Sequence, residues 1–161
     1  MKGADFFAQT LVKNNINSIH CVTGGGVVHL LDSCERYGIK CIYYQHEQSA
    51  GFGAMAESKI LGSPSVCIVT TGPGGTNTIT PLLGAWQDSL PVFFVSGQAR
   101  LEHLSRFNSV RQLGTQEFDI VNLVKPITKE AILLEDFQQI EEKISYLLKE
   151  STIGRPGPCL L

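Results

Sequence analysis

Apolar residues along the chain follow two rhythms that take turns. Ala4, Phe7, Ala8, Leu11 and Val12 fall at helical spacing and predict a first helix stopping near Asn14-Asn15. Ile19-His20-Cys21-Val22 reads as a short strand, Thr23-Gly24-Gly25-Gly26 as a turn, and Val27, Leu30, Leu31 and Cys34 as a second helix ended by Gly38. A strand over 39–44 leads into a small-residue helix over 47–61, and Gly62-Ser63-Pro64 breaks the chain before a strand over 65–70. Thr71-Gly72-Pro73-Gly74-Gly75-Thr76-Asn77 opens a helix to about Asp88, followed by the apolar run Pro91-Val92-Phe93-Phe94-Val95-Ser96, a strand buried on both faces. A polar segment from Gly97 to about Glu117 has no clear period, and a loop of that length is more often functional or mobile than idle. Residues 120–124 suit a short helical turn, 126–129 lead toward the last helix, and Phe137, Ile140, Ile144, Leu147 and Leu148 make its apolar stripe. The chain turns at Gly154-Arg155-Pro156-Gly157-Pro158 into Cys159-Leu160-Leu161, the start of a strand with nothing after it, as in a longer protein cut at a domain edge.

Short strands alternating with helices predict an α/β fold of three layers, a mostly parallel sheet with helices on both faces. Glu47 then stands at the carboxyl end of a strand, where open α/β sheets place their ligands. Gly51 and Gly53 inside the following helix each cost about 1 kcal/mol relative to Ala. Their missing side chains must allow the close approach of another backbone, a ligand or a second subunit. Taken alone, Glu47 is also explained as a first-turn acid favoured by the helix dipole.

Composition narrows the picture. The 161 residues suit one domain, and 13 basic against 15 acidic residues, without a block of either sign, argue against nucleic acid or an anionic membrane surface as partner. No apolar run approaches the roughly 18 residues of a membrane span, and the N-terminus has no secretory apolar region. Five cysteines, an odd number without a C-x-x-C pair, read as reduced core residues of a cytoplasmic protein. His20, Cys21, His29 and Cys34 match no zinc spacing.

Three strand ends, 23–26, 45–48 and 71–77, carry glycines or polar residues and are expected along one edge of a parallel sheet, where they line a single crevice. The first lacks the G-x-G-x-x-G dinucleotide spacing, and the third has Thr76-Asn77 where a P-loop requires Lys and Ser or Thr.

The order of motifs says more than any one of them. Gly24-Gly25, His46-Glu47-Gln48, Phe52, the T-x-G-P-G-x-T-N stretch ending at Asn77, Leu90-Pro91 with Gly97-Gln98, Gln116-Glu117, Ile127-Thr128-Lys129 and the turn at 154–158 succeed one another along the whole chain. Together they resemble the N-terminal, pyrimidine-binding domain of thiamine-diphosphate enzymes of the acetolactate synthase class. The resemblance implies that the domain spans 1–161 and that Glu47 bonds the N1' atom of the cofactor's aminopyrimidine. A buried carboxyl group with a raised pKa suits that task. It implies that Thr23, Gly24 and Gly25 close over the reacting end and that Thr70, Pro73 and Asn77 line the pyrimidine pocket. Gln116 is then a substrate-side residue, and Gln98 a candidate at the rim. Ala50, Gly51, Gly53 and Ala54 would let a second subunit pack on the helix over 47–61, giving a homodimer or tetramer.

The family's G-D-G…N motif, which holds the diphosphate and Mg²⁺ in a C-terminal domain, does not occur in these residues, and any FAD would bind in a middle domain. The 161 residues are therefore expected to hold at most half the cofactor, to bind it weakly and to turn nothing over alone. The implied reaction is decarboxylation of a 2-oxo acid such as pyruvate and transfer of the resulting fragment to an acceptor carbonyl. The alternatives are a 2-oxo acid decarboxylase domain or subunit, and a non-catalytic module that kept the fold. Departures from the family pattern fall where substrates are expected: Thr23 for the usual Pro, Gln45 for a basic residue, Thr115 for Phe, and a longer segment over 100–113 carrying Arg106 and Arg111.

Overall fold

The computed structural model describes residues 2–105 and 110–161; Arg106 lies outside them. Among these residues six strands form one sheet: β1 (Ser18–Cys21), β2 (Lys40–Tyr43), β3 (Ser65–Val69), β4 (Val92–Ser96), β5 (Glu130–Ala131) and β6 (Cys159–Leu160). Their order is β2-β1-β3-β4-β6-β5, and every pairing is parallel. The helices are α1 (Gly3–Lys13), α2 (Val28–Arg36), α3 (Glu47–Leu61), α4 (Pro73–Thr76), α5 (Ile79–Asp88), α6 (Ile120–Val124) and α7 (Ile140–Glu150).

Strand order decides which face each helix covers, because parallel crossovers are right-handed. Two steps, β1 to β2 and β5 to β6, run in one direction along the sheet, so α2 and α7 share a face, joined by α1. The steps from β2 through β3 and β4 to β5 run the other way, and α3, α5 and α6 cover the opposite face. Alternation within the strands feeds both layers. Val66, Ile68, Phe93, Val95 and Cys159 pack with Phe7, Leu11, Leu31, Ile144 and Leu147, whereas Cys67, Val69, Val92, Phe94 and Leu160 pack with Ala50, Ala54, Leu82 and Ala85. The expected three-layer α/β architecture is the one observed.

Three elements differ from the sequence reading. Residues 126–129 do not run straight toward the last helix. A 3-10 turn (Lys125–Ile127) is followed by β5, two residues paired on β6 alone, too short to leave a period. The helix after Gly72 is split into α4 and α5 at Asn77-Thr78. Pro81 explains the break, since its ring would strike the Asn77 carbonyl in a continuous helix. Within the 97–117 segment, Leu101–His103 forms one 3-10 turn.

The switch in strand direction lies between β1 and β3, so the carboxyl ends of these two strands flank the crevice where doubly wound sheets bind ligands. Far from it, Asp5 ties α1 to α2: its carboxylate accepts from Arg36 at 2.7 Å, Ser33 at 2.9 Å and the Lys2 amide at 3.0 Å. The Arg36 guanidinium, then the Lys2 amide and the Ser33 hydroxyl, hold the Asp5 carboxyl down at about 2.

Candidate functional site

Each segment of the site leaves a strand and turns at its carboxyl end. Gly24, Gly25 and Gly26 follow β1, Gln45 and His46 follow β2, and Thr70-Thr71-Gly72 follow β3. Glycine is required in the first and third turns by contact. A Cβ on Gly24 would come within 2.5 Å of the Thr70 side chain, and one on Gly26 within 2.5 Å of Thr71 Oγ1. With no side chain in the way, the Gly26 amide donates to Thr70 Oγ1 at 3.2 Å, and the two turns touch.

Glu47 is the first residue of α3, whose N-cap is His46: its Nδ1 accepts the Gln48 amide at 3.1 Å. The helix ends on Gly62 in the left-handed conformation, φ +65°. The partly buried Glu47 side chain reaches across to the third turn. Its Oε2 accepts from Asn77 Nδ2 at 2.8 Å, and its Oε1 lies 3.5 Å from where a Gly74 Cβ would stand. Gly74 leaves room for Thr70 Cγ2, 2.7 Å from where its Cβ would stand, and the Glu47–Asn77 and Gly24–Thr70 contacts join three strand ends.

A crevice of about 350 Å³ opens between these turns and the segment after β4, lined by Gly25, Gly26, Thr70, Thr71, Gln98, Arg100, His103 and Gln116 among others. A second, of about 410 Å³, is bounded by Gly72, Pro73, Thr76 and Gln116 to Phe118, with Gln112. Gln116 borders both and has a left-handed backbone, φ +57°, seated against Gly72; a Cβ on Gly72 would meet the Gln116 carbonyl. Glu47 lines neither crevice. It lies between α3 and the turn bearing Asn77, partly exposed.

The structure therefore gathers Gly25, Thr70, Gln116 and Gln98 around one crevice, seats Gly24 against Thr70 and joins Asn77 to Glu47. Pro73 starts α4 at the wall of the second crevice, and Thr23 is exposed on the first turn. Gln98 is a tie as well as a wall: it donates to the Phe118 carbonyl at 2.7 Å and accepts the Ala99 amide at 2.8 Å. Arg111 is exposed. Arg100 and His103 were not anticipated from the sequence, because only the fold brings the segment after β4 beside the first turn.

One expectation is corrected. The small residues of α3 are used inside the chain, not held open for a second subunit. Ala50 and Ala54 are fully buried, and a Cβ on Gly51 would lie 2.7 Å from Pro81 Cβ of α5. Gly53 is filled by Tyr44 and His20. The outer face of the helix is what remains, with Phe52 45% and Ile60 82% exposed beside Leu83 and Trp86 of α5.

Among the described residues no group of three or more His, Cys, Asp and Glu side chains is arranged for a metal, and no helix is long and apolar enough to cross a membrane. All five cysteines are free; burial pushes the Cys21, Cys34 and Cys159 thiols up to about 12.

An open, doubly wound α/β domain with a glycine-rich cradle at its switch point and an acid beside it is built to present polar groups to a cofactor. Comparison with known proteins agrees on which cofactor. The family described as thiamine pyrophosphate enzyme, N-terminal TPP binding domain, matches residues 1–123. The mitochondrial acetolactate synthase of Schizosaccharomyces pombe is 31% identical over 160 residues, covering 99% of this chain and 23% of its own. Acetolactate synthase isozyme 2 large subunit of Escherichia coli is 30% identical over 164 residues, covering 100% and 28%. Chloroplastic acetolactate synthase of Arabidopsis thaliana is 32% identical, covering 99% and 23%. The chain belongs to the family of N-terminal thiamine pyrophosphate-binding domains. It spans about a quarter of the length of these relatives.

Proposed function

We propose that residues 1–161 form the pyrimidine-binding domain of an acetolactate synthase-like carboligase. In this reading the whole protein decarboxylates a 2-oxo acid, pyruvate first, and transfers the remaining two-carbon unit to an acceptor carbonyl. The observation that carries the reading is the Glu47 carboxylate at the rim, held by Asn77.

The donor set fits an aminopyrimidine. A carboxyl group at the head of a helix, an amide beside it, and a cradle that any Cβ at Gly24, Gly26 or Gly74 would fill together suit a flat ring bearing hydrogen-bonding nitrogens. When bound, thiamine diphosphate supplies a carbon nucleophile that captures 2-oxo acids and lets carbon dioxide leave. Glu47 shares a proton with the N1' atom of the ring, and the Asn77 amide holds the carboxylate in line for it. Thr70, with Gly24 and Gly25, walls the ring; Pro73 fixes the start of the turn bearing Gly74 and Asn77; Thr23 closes the outer edge. Gln116 and Gln98 offer amide groups to the substrate carboxylate or the acceptor in the 350 Å³ crevice.

Diphosphate and Mg²⁺ are assigned to chain outside these residues, as is any flavin. The apolar outer face of α3 and α5 is the surface for a second subunit, giving a dimer or a higher oligomer. Five free thiols suit a reducing compartment, the cytoplasm. The test is an assay of the full-length protein with pyruvate, thiamine diphosphate and Mg²⁺ that follows carbon dioxide and identifies the coupled product. Acetolactate or a related acyloin is expected. A protein that binds the cofactor and releases free aldehyde is a decarboxylase instead, and one that neither binds nor turns over refutes the reading.

A further inference from the structure

One buried polar cluster is left unused by this scheme. His20 sits in the middle of β1, 5% exposed, on the face where its neighbours in the sheet are Cys67, Val69 and Phe94. Both of its ring nitrogens are engaged, Nδ1 with the Tyr44 hydroxyl at 2.9 Å and Nε2 with Glu57 Oε2 at 3.2 Å. Ser18 donates its hydroxyl to the other oxygen of Glu57. An ionised Glu57 accepts only, so in the neutral ring Nε2 carries the hydrogen, and Nδ1 accepts from the Tyr44 O–H. The four side chains then satisfy one another. Gly53 makes the arrangement possible, since a Cβ there would come within 2.7 Å of His20 Nδ1 and would overlap the Tyr44 hydroxyl.

The cluster grips both sides of the turn that carries Glu47. Tyr44 is the residue at which β2 enters that turn, and its amide donates to the Cys21 carbonyl at 2.9 Å. Beyond it Gln45 and His46 are exposed, so the Tyr44 side chain is the last inward anchor before Glu47. Glu57 lies ten residues into α3, about 15 Å along the helix from Glu47. The contact face of α3 between them is Ala50, Gly51 and Ala54, which carry no polar group to fix the register of the helix. A phenylalanine at position 20 would serve for packing alone. A satisfied polar set sets one register instead.

We infer that His20 is a positioning residue for Glu47, acting through Tyr44 on the turn and through Glu57 on the helix. The inference rests on the reading of Glu47 above and concerns how that carboxylate is aimed, not what it does.

The experiment compares wild type, Tyr44→Phe, His20→Phe and Glu47→Gln in the full-length protein. It measures the thiamine diphosphate dissociation constant, the exchange of the bound cofactor's C2 hydrogen for deuterium, the melting temperature, and the cofactor-free crystal structure of Tyr44→Phe. Misplacing a reacting group by 1 Å can cost about 100-fold in rate, so a partial loss of aim in Y44F or H20F is expected to slow exchange about tenfold, with affinity within about twofold. The Glu47–Asn77 contact, 2.8 Å here, is expected to break in the Y44F crystal. Exchange at the wild-type rate with only a lower melting temperature would mean packing alone and overturn the inference. So would an intact Glu47–Asn77 contact in Y44F, whatever the cofactor does. If Glu47→Gln also exchanges at the wild-type rate, the reading of Glu47 fails instead, and the crystal contact alone judges the positioning.

Discussion

Gly51→Ala is a direct test of how α3 is seated. The new methyl group would stand 2.7 Å from Pro81 Cβ and closer still to Pro81 Cγ, whereas ordinary contact begins at 3.4 Å, a shortfall of about 0.7 Å. The obstacle is a buried ring, not the free end of a flexible side chain, and on the far side Phe94 Cε1 stands at 3.4 Å. Alanine in place of glycine favours the helix by about 1 kcal/mol. Overpacking a rigid neighbour costs about 3 kcal/mol at the upper end of its usual range. The balance is a loss of about 2 kcal/mol, which for a chain of this size is a melting temperature lower by about 4–8 °C and a urea midpoint lower by about 1 M. Gly25→Ala is the control, because nothing lies within 4 Å of a Cβ there. Its midpoint is expected to stay within about 0.5 kcal/mol of wild type. Urea unfolding followed by circular dichroism reads both variants. A Gly51→Ala protein as stable as wild type, or more stable, would show that α3 does not rest on Pro81.

Two further changes probe other parts of the fold and site. The Asp5 carboxyl, held down by Arg36, contributes stability that is complete above the ordinary aspartate value of 3.8, declines as pH falls below it and is gone below about 2. Wild-type urea midpoints are therefore expected to fall through that window more steeply than those of Asp5→Asn, and parallel curves would refute the tie between α1 and α2. Lys129 donates to the carbonyls of Glu150 and Ile153 at 2.5 Å each, closing the end of α7. Lys129→Met keeps the stem and strips these donors, and a loss of about 1.5–3 kcal/mol is expected by the same unfolding assay. An unchanged midpoint would deny the Lys129 ammonium a structural role.

The sequence pattern carried most of the architecture because each strand and helix repeats its own period. It failed where an element borrows its stability from elsewhere. β5 is two residues long and exists through its pairing with β6, and the break before α5 depends on what Pro81 would strike. At the site, Glu47 was legible from its place after β2, and the glycine turns from their composition. The contacts among them were not, since Asn77 is 30 residues from Glu47, and nothing local says that Gly74 makes room for the Thr70 side chain. Gly51 and Gly53 announced a close approach without naming the partner, which proved to be Pro81 for one and Tyr44 with His20 for the other. His20 itself, 37 residues from Glu57 and 24 from Tyr44, looks in sequence like a lone histidine in an apolar strand.

The proposed function turns on whether the Glu47 carboxylate shares a proton with the bound cofactor. The most direct measurement is the rate at which the C2 hydrogen of thiamine diphosphate exchanges with deuterium when bound to the full-length protein, wild type against Glu47→Gln, by quenched-flow NMR. A group in acid–base contact contributes about 10²–10⁴-fold, so exchange in E47Q is expected to fall at least about 100-fold while the cofactor remains bound. Equal rates in the two proteins, both saturated with cofactor, would contradict it.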